Sequence, residues 1–542
     1  MTYQGRKSNL RNGVAALAVL SLCECAVLVS PASAVDFSDT SGEYTLHVGG
    51  WVRNWTGFNL DKEPASRYSK WWDPAMFRNE LLVDADAKTG PVKWKFIGRF
   101  DKEIETDYLH GLHKLNTKQS PGGLAGTDYM SQYNTTRFSQ AAREAYADFD
   151  VGSRVNMRVG RQQLVWGESD FFHAMDIISG YDLRSRLFFE NNEEYRKPLF
   201  MVHPTVAVPE ANGNFDFYIR PGVDPDESIG NSYNLEGGRW IPTPYKGVDF
   251  TAFTGYNYHH KSGDKNDPTY GARWKGQIGE LGYSLAYIRT FNPDPVMNPA
   301  TSATTAAFGV SGQRAYKEAP QNTTLGDWIY PQVHNFGVSG NYYVGAIDAV
   351  VSGEAVYSPQ RPYNYGALGS SLPGWAGIKE KDTVVSMLRV DKNLSLENLI
   401  GTNRPSLASF QMFDTWLTGF KHSDQIVEFA SFAHQKHEHS TMLTAFVLLN
   451  YFGDTINPSF VVGVDASNGG GFAIPAVELA FGDNWRVKAE ADLFWDTSHK
   501  SPSSRNGDGS HSNLLGIAEN QTSLFGWFHG DDQLVVRVTR QF

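Results

Sequence analysis

A chain of 542 residues with 13% aromatics, 52 glycines and a formal net charge of −11 has the composition of a folded protein and no bias towards nucleic acid. Mean hydropathy is −0.39, low for so aromatic a chain. A soluble protein would need a large core for these rings, whereas a membrane β-barrel carries them on its outer face and keeps polar residues inside.

The chain opens with Arg6, Lys7 and Arg11, an apolar run from Val14 to Val29 and the small residues Ala32, Ser33 and Ala34 before Val35. This order predicts a secretory signal peptide over 1–34, cleaved near Ala34; the run is short for a membrane anchor and contains Glu24. Both cysteines, Cys23 and Cys25, fall inside it. The mature chain would hold no thiol, which excludes disulfides, thiolate metal sites and cysteine nucleophiles. Losing three basic residues and one acidic one takes the net charge to about −13. No later stretch is apolar for the eighteen or so residues of a helical span.

From Tyr44 onward, segments of period two recur and pair across tight turns. Tyr44 to Phe58 comes first. Glu80–Ala87 and Val92–Phe100 flank a turn at Gly90, and Ala142–Phe149 and Arg154–Gly160 flank one at Gly152. Trp274–Ile278 with Leu281–Phe291, Asn335–Val344 with Ala346–Tyr357, and Phe472–Phe481 with Trp485–Trp495 repeat the arrangement. Long polar stretches separate them: Glu103–Gln140, Asn292–Pro331, Ser358–Glu380 and Asp496–Gln521. The last strand runs from Gln533 to a terminal Phe542, with Leu534, Val536, Val538 and Phe542 on one face. That ending resembles the signal read by the outer-membrane assembly machinery, although Arg540 stands where an apolar residue is usual.

Short turns alternating with long loops predict an all-β fold: one transmembrane antiparallel barrel over 35–542 in a Gram-negative outer membrane. Equal parity of the termini demands an even strand count. About twenty candidate strands break that parity twice, between Gln162 and Tyr270 and between Ser358 and Gln425, so the expectation is roughly 16 to 18.

The densest polar cluster follows the Arg154 strand. Alternation is clean to Val159 and breaks at Gly160, which predicts a bulge or inward bend there. The charged segment to Lys197 is then either a loop folded into the lumen as a constriction or a salt-bridged network closing one mouth. Its candidate lumen residues are Arg158, Arg161, Gln162, Trp166, Glu168, Asp170, Phe171, Arg184 and Arg186. Trp166 and Phe171 are read as lining an apolar path, and the charged residues as ordering the constriction or a polar headgroup.

The run from Met157 to Phe172, with Asp182-Leu183-Arg184 and Glu193 to Met201, resembles the outer-membrane family catalogued as domain of unknown function 1302. The features in common are a strand ending Gly160-Arg161-Gln162, then Trp166-Gly167-Glu168, an Asp-Leu-Arg segment and a charged approach to Pro198. Ser185 interrupts the family's double arginine, and Phe188 to Asn192 replaces a Pro-Gly stretch. Association of that family with the breakdown of steroids and other hydrophobic or aromatic compounds implies a channel for such molecules.

Other chemistry finds little footing. His434, His437 and His439 do not share one face of an extended chain, and Asp264 to Asp267 lacks a full calcium-loop pattern. Nucleophile-elbow, zinc-protease and phosphate-loop motifs are absent, which leaves Glu168 and Asp170 as the nearest thing to an acid/base pair. The expectation is a non-enzymatic channel without cofactor, surrounded by outer-membrane lipid. It would take a small hydrophobic ligand, with a periplasmic or inner-membrane transport partner. The rival is a sealed surface or assembly protein serving an exporter or periplasmic carrier.

Overall fold

The computed structural model describes residues 34–60, 72–119, 129–241, 249–252, 254–301, 315–366, 374–427, 435–497, 525, 528 and 530–542. The segment read as a signal peptide lies outside them, as do His434 and most of Asp496–Gln521.

Eighteen antiparallel strands close into a barrel. In chain order they are β1 (Tyr44–Asn59), β2 (Pro74–Thr89), β3 (Val92–Glu103), β4 (Ala142–Val151), β5 (Val155–Gln162) and β6 (Leu199–Val208). Next come β7 (Gly213–Arg220), β8 (Thr269–Ile278), β9 (Leu281–Phe291), β10 (Gln332–Val344), β11 (Ala349–Tyr365) and β12 (Gly377–Leu394). The ring ends with β13 (Ser406–Leu417), β14 (His439–Leu448), β15 (Ile456–Asp465), β16 (Gly470–Phe481), β17 (Trp485–Asp496) and β18 (Gln533–Gln541). Each strand pairs with its sequence neighbour, and β18 returns to β1 from Trp51↔Gln541 to Asn59↔Gln533. Phe542 completes the seam: its N–H donates to the Gly50 carbonyl and its carbonyl accepts from the Gly50 N–H, both at 3.0 Å. The part of β1 beyond the reach of β18 pairs instead with the short segment Val35–Ser38. No long row of backbone donors is left open along the seam.

The two parity failures now have causes. Between Gln162 and Tyr270 lie β6 and β7, a hairpin whose Pro204 and charged neighbours blur the period. The stretch Ser358–Glu380 is not a continuous loop as expected. β11 runs on to Tyr365 and β12 begins at Gly377, with a register shift between Ser358 and Arg361. Here the strands carry Arg361, Asn364, Lys379 and Lys381, polar residues that suit a barrel wall above the lipid and hide it from a search for alternating apolar residues. The loop Glu103–Gln140 likewise holds a helix, Asp107–Gln119.

Strand pleating sorts side chains to two faces. Leu81, Phe100, Leu285, Phe336, Val338, Leu388, Phe410 and Phe460 point outward and are exposed, the apolar surface a bilayer covers. The inner face is divided. On β1 to β3 it carries Arg53, Arg78, Glu80, Arg99, Asp101 and Glu103; on β12 to β17 it carries Met387, Phe413, Met442, Phe472, Ile474 and Phe494. The β1–β3 face is therefore ionic, whereas the β12–β17 face combines aromatic and aliphatic side chains with charged ones, Arg389, Glu490 and Asp492.

Gly160 corrects a second expectation. No bulge lies there: β5 keeps its register with β6 through Arg161↔Phe200 and Gln162↔Leu199, and the chain leaves the wall only after Gln162. The glycine is needed because φ is +137° and a Cβ would lie 2.2 Å from the Ala145 carbonyl oxygen and 2.7 Å from the Tyr146 Cα. We expect Gly160→Val to lower the yield of folded, heat-modifiable barrel, since a strained backbone of this kind costs on the order of 1–3 kcal/mol before any clash. Wild-type yield and unfolding temperature on gel-shift analysis would contradict this account.

Candidate functional site

Residues 163–198 leave the wall, cross the lumen and return to it at β6. This segment touches most of the ring. At its start, Leu164 and Trp166 pack with Leu199, Met201, Tyr218 and Ile288 of the adjoining wall. Trp166 is 1% exposed, edge-on to Tyr218 at 5.5 Å and 5.0 Å from the Arg273 guanidinium. It belongs to the closed core that fixes the loop's root, so the expectation that it lines an open path is corrected.

The next residues reach the opposite wall. The Glu168 carboxylate accepts from Asn341 of β10 at 3.0 Å, and its carbonyl accepts from Arg389 of β12 at 2.7 Å. Asp170 pairs with Arg389 at 2.9 Å and accepts from Gln411 of β13 at 3.1 Å. Glu354 of β11 accepts from the backbone N–H groups of Glu168 and Met175. Glu168 and Asp170 thus serve different strands and do not face each other as an acid/base pair. Phe171 stands edge-on to Phe446 and tilted against Phe472, each at 6.4 Å.

Returning across the lumen, the segment meets the ionic wall. Arg186, 1% exposed, lies between Glu490 at 2.7 Å and Asp492 at 2.6 Å of β17, its guanidinium 4.7 Å from the Trp55 ring. Glu190 accepts from Arg78 at 2.6 Å, and Glu194 from Arg53 at 2.7 Å. Arg99 donates to the Glu194 carbonyl at 2.6 Å. Glu80 ties the set together, 2.7 Å from Arg78 and accepting from the Trp55 indole at 2.7 Å. A planar guanidinium offers a fork of donors, so arginine can satisfy two carboxylates where lysine would present a point charge.

Four other predicted residues act locally. Arg158 faces the lumen, paired with Asp148 at 2.9 Å and set over Tyr146 at 4.5 Å. Arg161 is on the other face of β5 and donates to the Ser139 carbonyl at 2.6 Å, so it is not a lumen residue. Gln162 is fully buried and donates to the Met201 carbonyl at 3.1 Å. Arg184 grips Asp182 through two hydrogen bonds of 2.8 and 2.7 Å. Of the histidines, His437 contacts Asn468 at 3.1 Å and His439 contacts Asp414 at 2.8 Å; no group of three metal-ligating side chains occurs among the described residues.

Between this plug and the β12–β17 face lies a cavity of about 380 Å³. Phe171, Phe172, Leu187 and Phe188 face it from the plug, and Val385, Phe413 and Met442 from the strands. Phe172 meets Phe413 at 5.7 Å and Phe188 meets Phe472 at 5.1 Å. The strand residues that answer the plug were not among the sequence candidates. Their signal was single polar residues at inward positions, as in Ala489-Glu490-Ala491-Asp492, but it becomes readable only when strand register is known.

The family model for proteins of unknown function designated DUF1302 matches residues 16–508. The chain belongs to that family. No curated protein matches the chain. Among solved structures, OccAB2 of Acinetobacter baumannii is 9% identical, covers 92% of this chain and 98% of its own, and gives a TM-score of 0.42. The outer membrane channel DcaP of Acinetobacter baumannii is 8% identical over 93% of this chain and 99% of its own, with a TM-score of 0.37. OpdK of Pseudomonas aeruginosa, solved with vanillate, is 8% identical over 92% and 98%, with a TM-score of 0.39.

Replacing Arg186 by Met leaves Asp492 buried without its counter-charge and Glu490 with Lys488 alone, a loss expected to cost about 3–5 kcal/mol. We expect a lower unfolding temperature and protease cleavage within 163–198. Adding Glu490→Gln and Asp492→Asn to the same variant should recover much of the stability, because the stranded charge is gone. A single variant as stable and protease-resistant as the parent would refute the latch.

Proposed function

We propose that this protein is an outer-membrane channel for hydrophobic, aromatic or lipid-like molecules, steroid-like compounds included, delivered after cleavage of a leader over 1–34. The carrying observation is the cavity of about 380 Å³ with aromatic and aliphatic walls above a plug that is otherwise held by ions. Apolar surface facing water in a lumen is costly, and an apolar guest removes that cost at about 25 cal/mol per Å² covered. Beside the Asp170–Arg389 pair, the plug rests on this wall through Phe172 on Phe413 and Phe188 on Phe472. Such contacts are non-directional and can be exchanged for contacts with a guest, whereas the Arg186 and Arg78 pairs cannot part without stranding charge. The path proposed runs along this apolar seam, with Phe171 on its edge and Arg158, Glu168, Asp170, Arg184 and Arg186 ordering the plug beside it.

Selectivity in this reading comes from lumen width and the groups lining it, and no cofactor enters. Phe542 closes the β1–β18 seam and would be the residue the assembly machinery recognises. A periplasmic carrier or inner-membrane partner would take the substrate onward.

One observation favours a second reading: the plug is bonded to β1, β2, β3, β11, β12, β13 and β17, which suits a sealed scaffold. Planar-bilayer recording separates the two, with discrete openings expected for the channel and none for the scaffold. In cells, Phe413→Asp should lower uptake of naphthalene about tenfold, the equivalent of 1.4 kcal/mol, at unchanged barrel abundance. A deletion strain that takes up and exports steroids, aromatics and fatty acids like its parent would remove this function.

A further inference from the structure

Among the polar residues that line the cavity, His173, Asp176 and Tyr181 form one patch. His173 lies flat on Tyr181, ring centroids 4.2 Å apart and 3° from parallel. The Tyr181 hydroxyl donates to Asp176 Oδ2 at 2.8 Å, and Arg196 donates to the same oxygen. Hydrogen bonding sets the imidazole's tautomer. The Tyr195 hydroxyl donates to Asn192 Oδ1 at 2.7 Å, so its oxygen, 3.4 Å from His173 Nε2, is left to accept the Nε2 proton. Nδ1 then carries a lone pair. Burial also holds the ring neutral, its pKa pulled down to about 4.

Two acceptors in this patch lack a donor. His173 Nδ1 and Asp176 Oδ1 are both buried and neither has a hydrogen-bond partner among the described residues. An unsatisfied buried acceptor is unfavourable, and a guest supplying a donor would relieve it. Charge around the cavity narrows the guest further. Asp176, Asp294 and Asp465 line it, while the lining cation Arg361 is engaged by Asn292 at 3.0 Å.

We infer that His173 and Asp176 form a recognition site for the hydroxyl group of an otherwise apolar guest, so that the protein selects neutral alcohols and phenols over carboxylates of the same skeleton. This rests on the channel reading above and adds to it the polar group the substrate must carry. An apolar cavity alone discriminates poorly between molecules that differ by one polar group, whereas a site with buried unpaired acceptors discriminates strongly.

Three probes of one skeleton test it: naphthalen-2-ol, which donates; 2-methoxynaphthalene, which cannot; and naphthalene-2-carboxylate, which is anionic. Binding is measured by equilibrium dialysis against the full-length barrel in lipid nanodiscs, with binding to empty nanodiscs subtracted. The alcohol should bind about tenfold or more tightly than either relative, one satisfied acceptor's worth. His173→Phe keeps the stack on Tyr181 and removes Nδ1; it should weaken the alcohol while leaving the ether unchanged. Equal binding of all three, tighter binding of the carboxylate, or an undiminished preference for the alcohol in His173→Phe would each overturn the hydroxyl site while leaving the channel standing. If none of the three binds, both the site and the hydrophobic-ligand reading fall. The wild-type comparison decides the matter even where the variant does not assemble.

Discussion

A charge taken out of water must find its opposite, and in this barrel that requirement governs where the chain can go. Arg186 is carried into the lumen on a segment whose regular structure is limited to the helical turn Asn192–Tyr195, and β17 presents Glu490 and Asp492 to receive it. Arg78 and Arg53, on the nearby β2 and β1, do the same for Glu190 and Glu194. Such pairs contribute little net stability against their desolvation, but each is strongly unfavourable when broken. Their effect is to permit one placement of the crossing segment and to penalise its neighbours. Everything else in the lumen, including the cavity, is arranged around that placement.

The division of the wall follows from the same constraint. Where the crossing segment presents acids and arginines, the strands answer with ions; where it presents Phe172 and Phe188, they answer with Phe413 and Phe472. A single segment can therefore be held firmly by its ion pairs, Asp170–Arg389 on β12 among them, and softly by its ring contacts. Firm attachment gives the cavity a defined floor, and soft attachment supplies a surface that a guest can share. The polar patch at His173 belongs to the firm part, because Arg196 and Tyr181 fix Asp176 while Tyr195 orients the imidazole.

How much of this is legible in the chain depends on the distance over which the signal acts. Hairpins were, since turn glycine and alternating strand lie within a dozen residues: Gly279-Glu280 between β8 and β9 is read directly. The terminal Phe542 strand and the in-folded charged segment were legible for the same reason. Strand extensions such as Arg361 to Tyr365 were not, because polar residues on both faces carry no period. Arg161 and Trp166 were misplaced by chemistry taken without register: one faces away from the lumen and the other roots the loop. The partners Glu354, Arg389, Glu490 and Asp492 stay hidden until pairing assigns each strand a face. The cavity and its patch are assembled from residues hundreds of positions apart, and nothing local announces them.

The latch also bears on the order in which the molecule can be made. Arg186 and Asp492 are 306 residues apart, and Arg53 meets Thr539 across 486. The strands that neutralise Arg186 and that zip Phe542 onto Gly50 lie far downstream of the crossing segment. Until those strands are in place, the crossing segment holds cations without their partners, beside a sheet open along one side. Contacts of such separation form late, after a large loss of chain entropy. Seating of the segment and closing of the ring therefore draw on the same distant part of the chain.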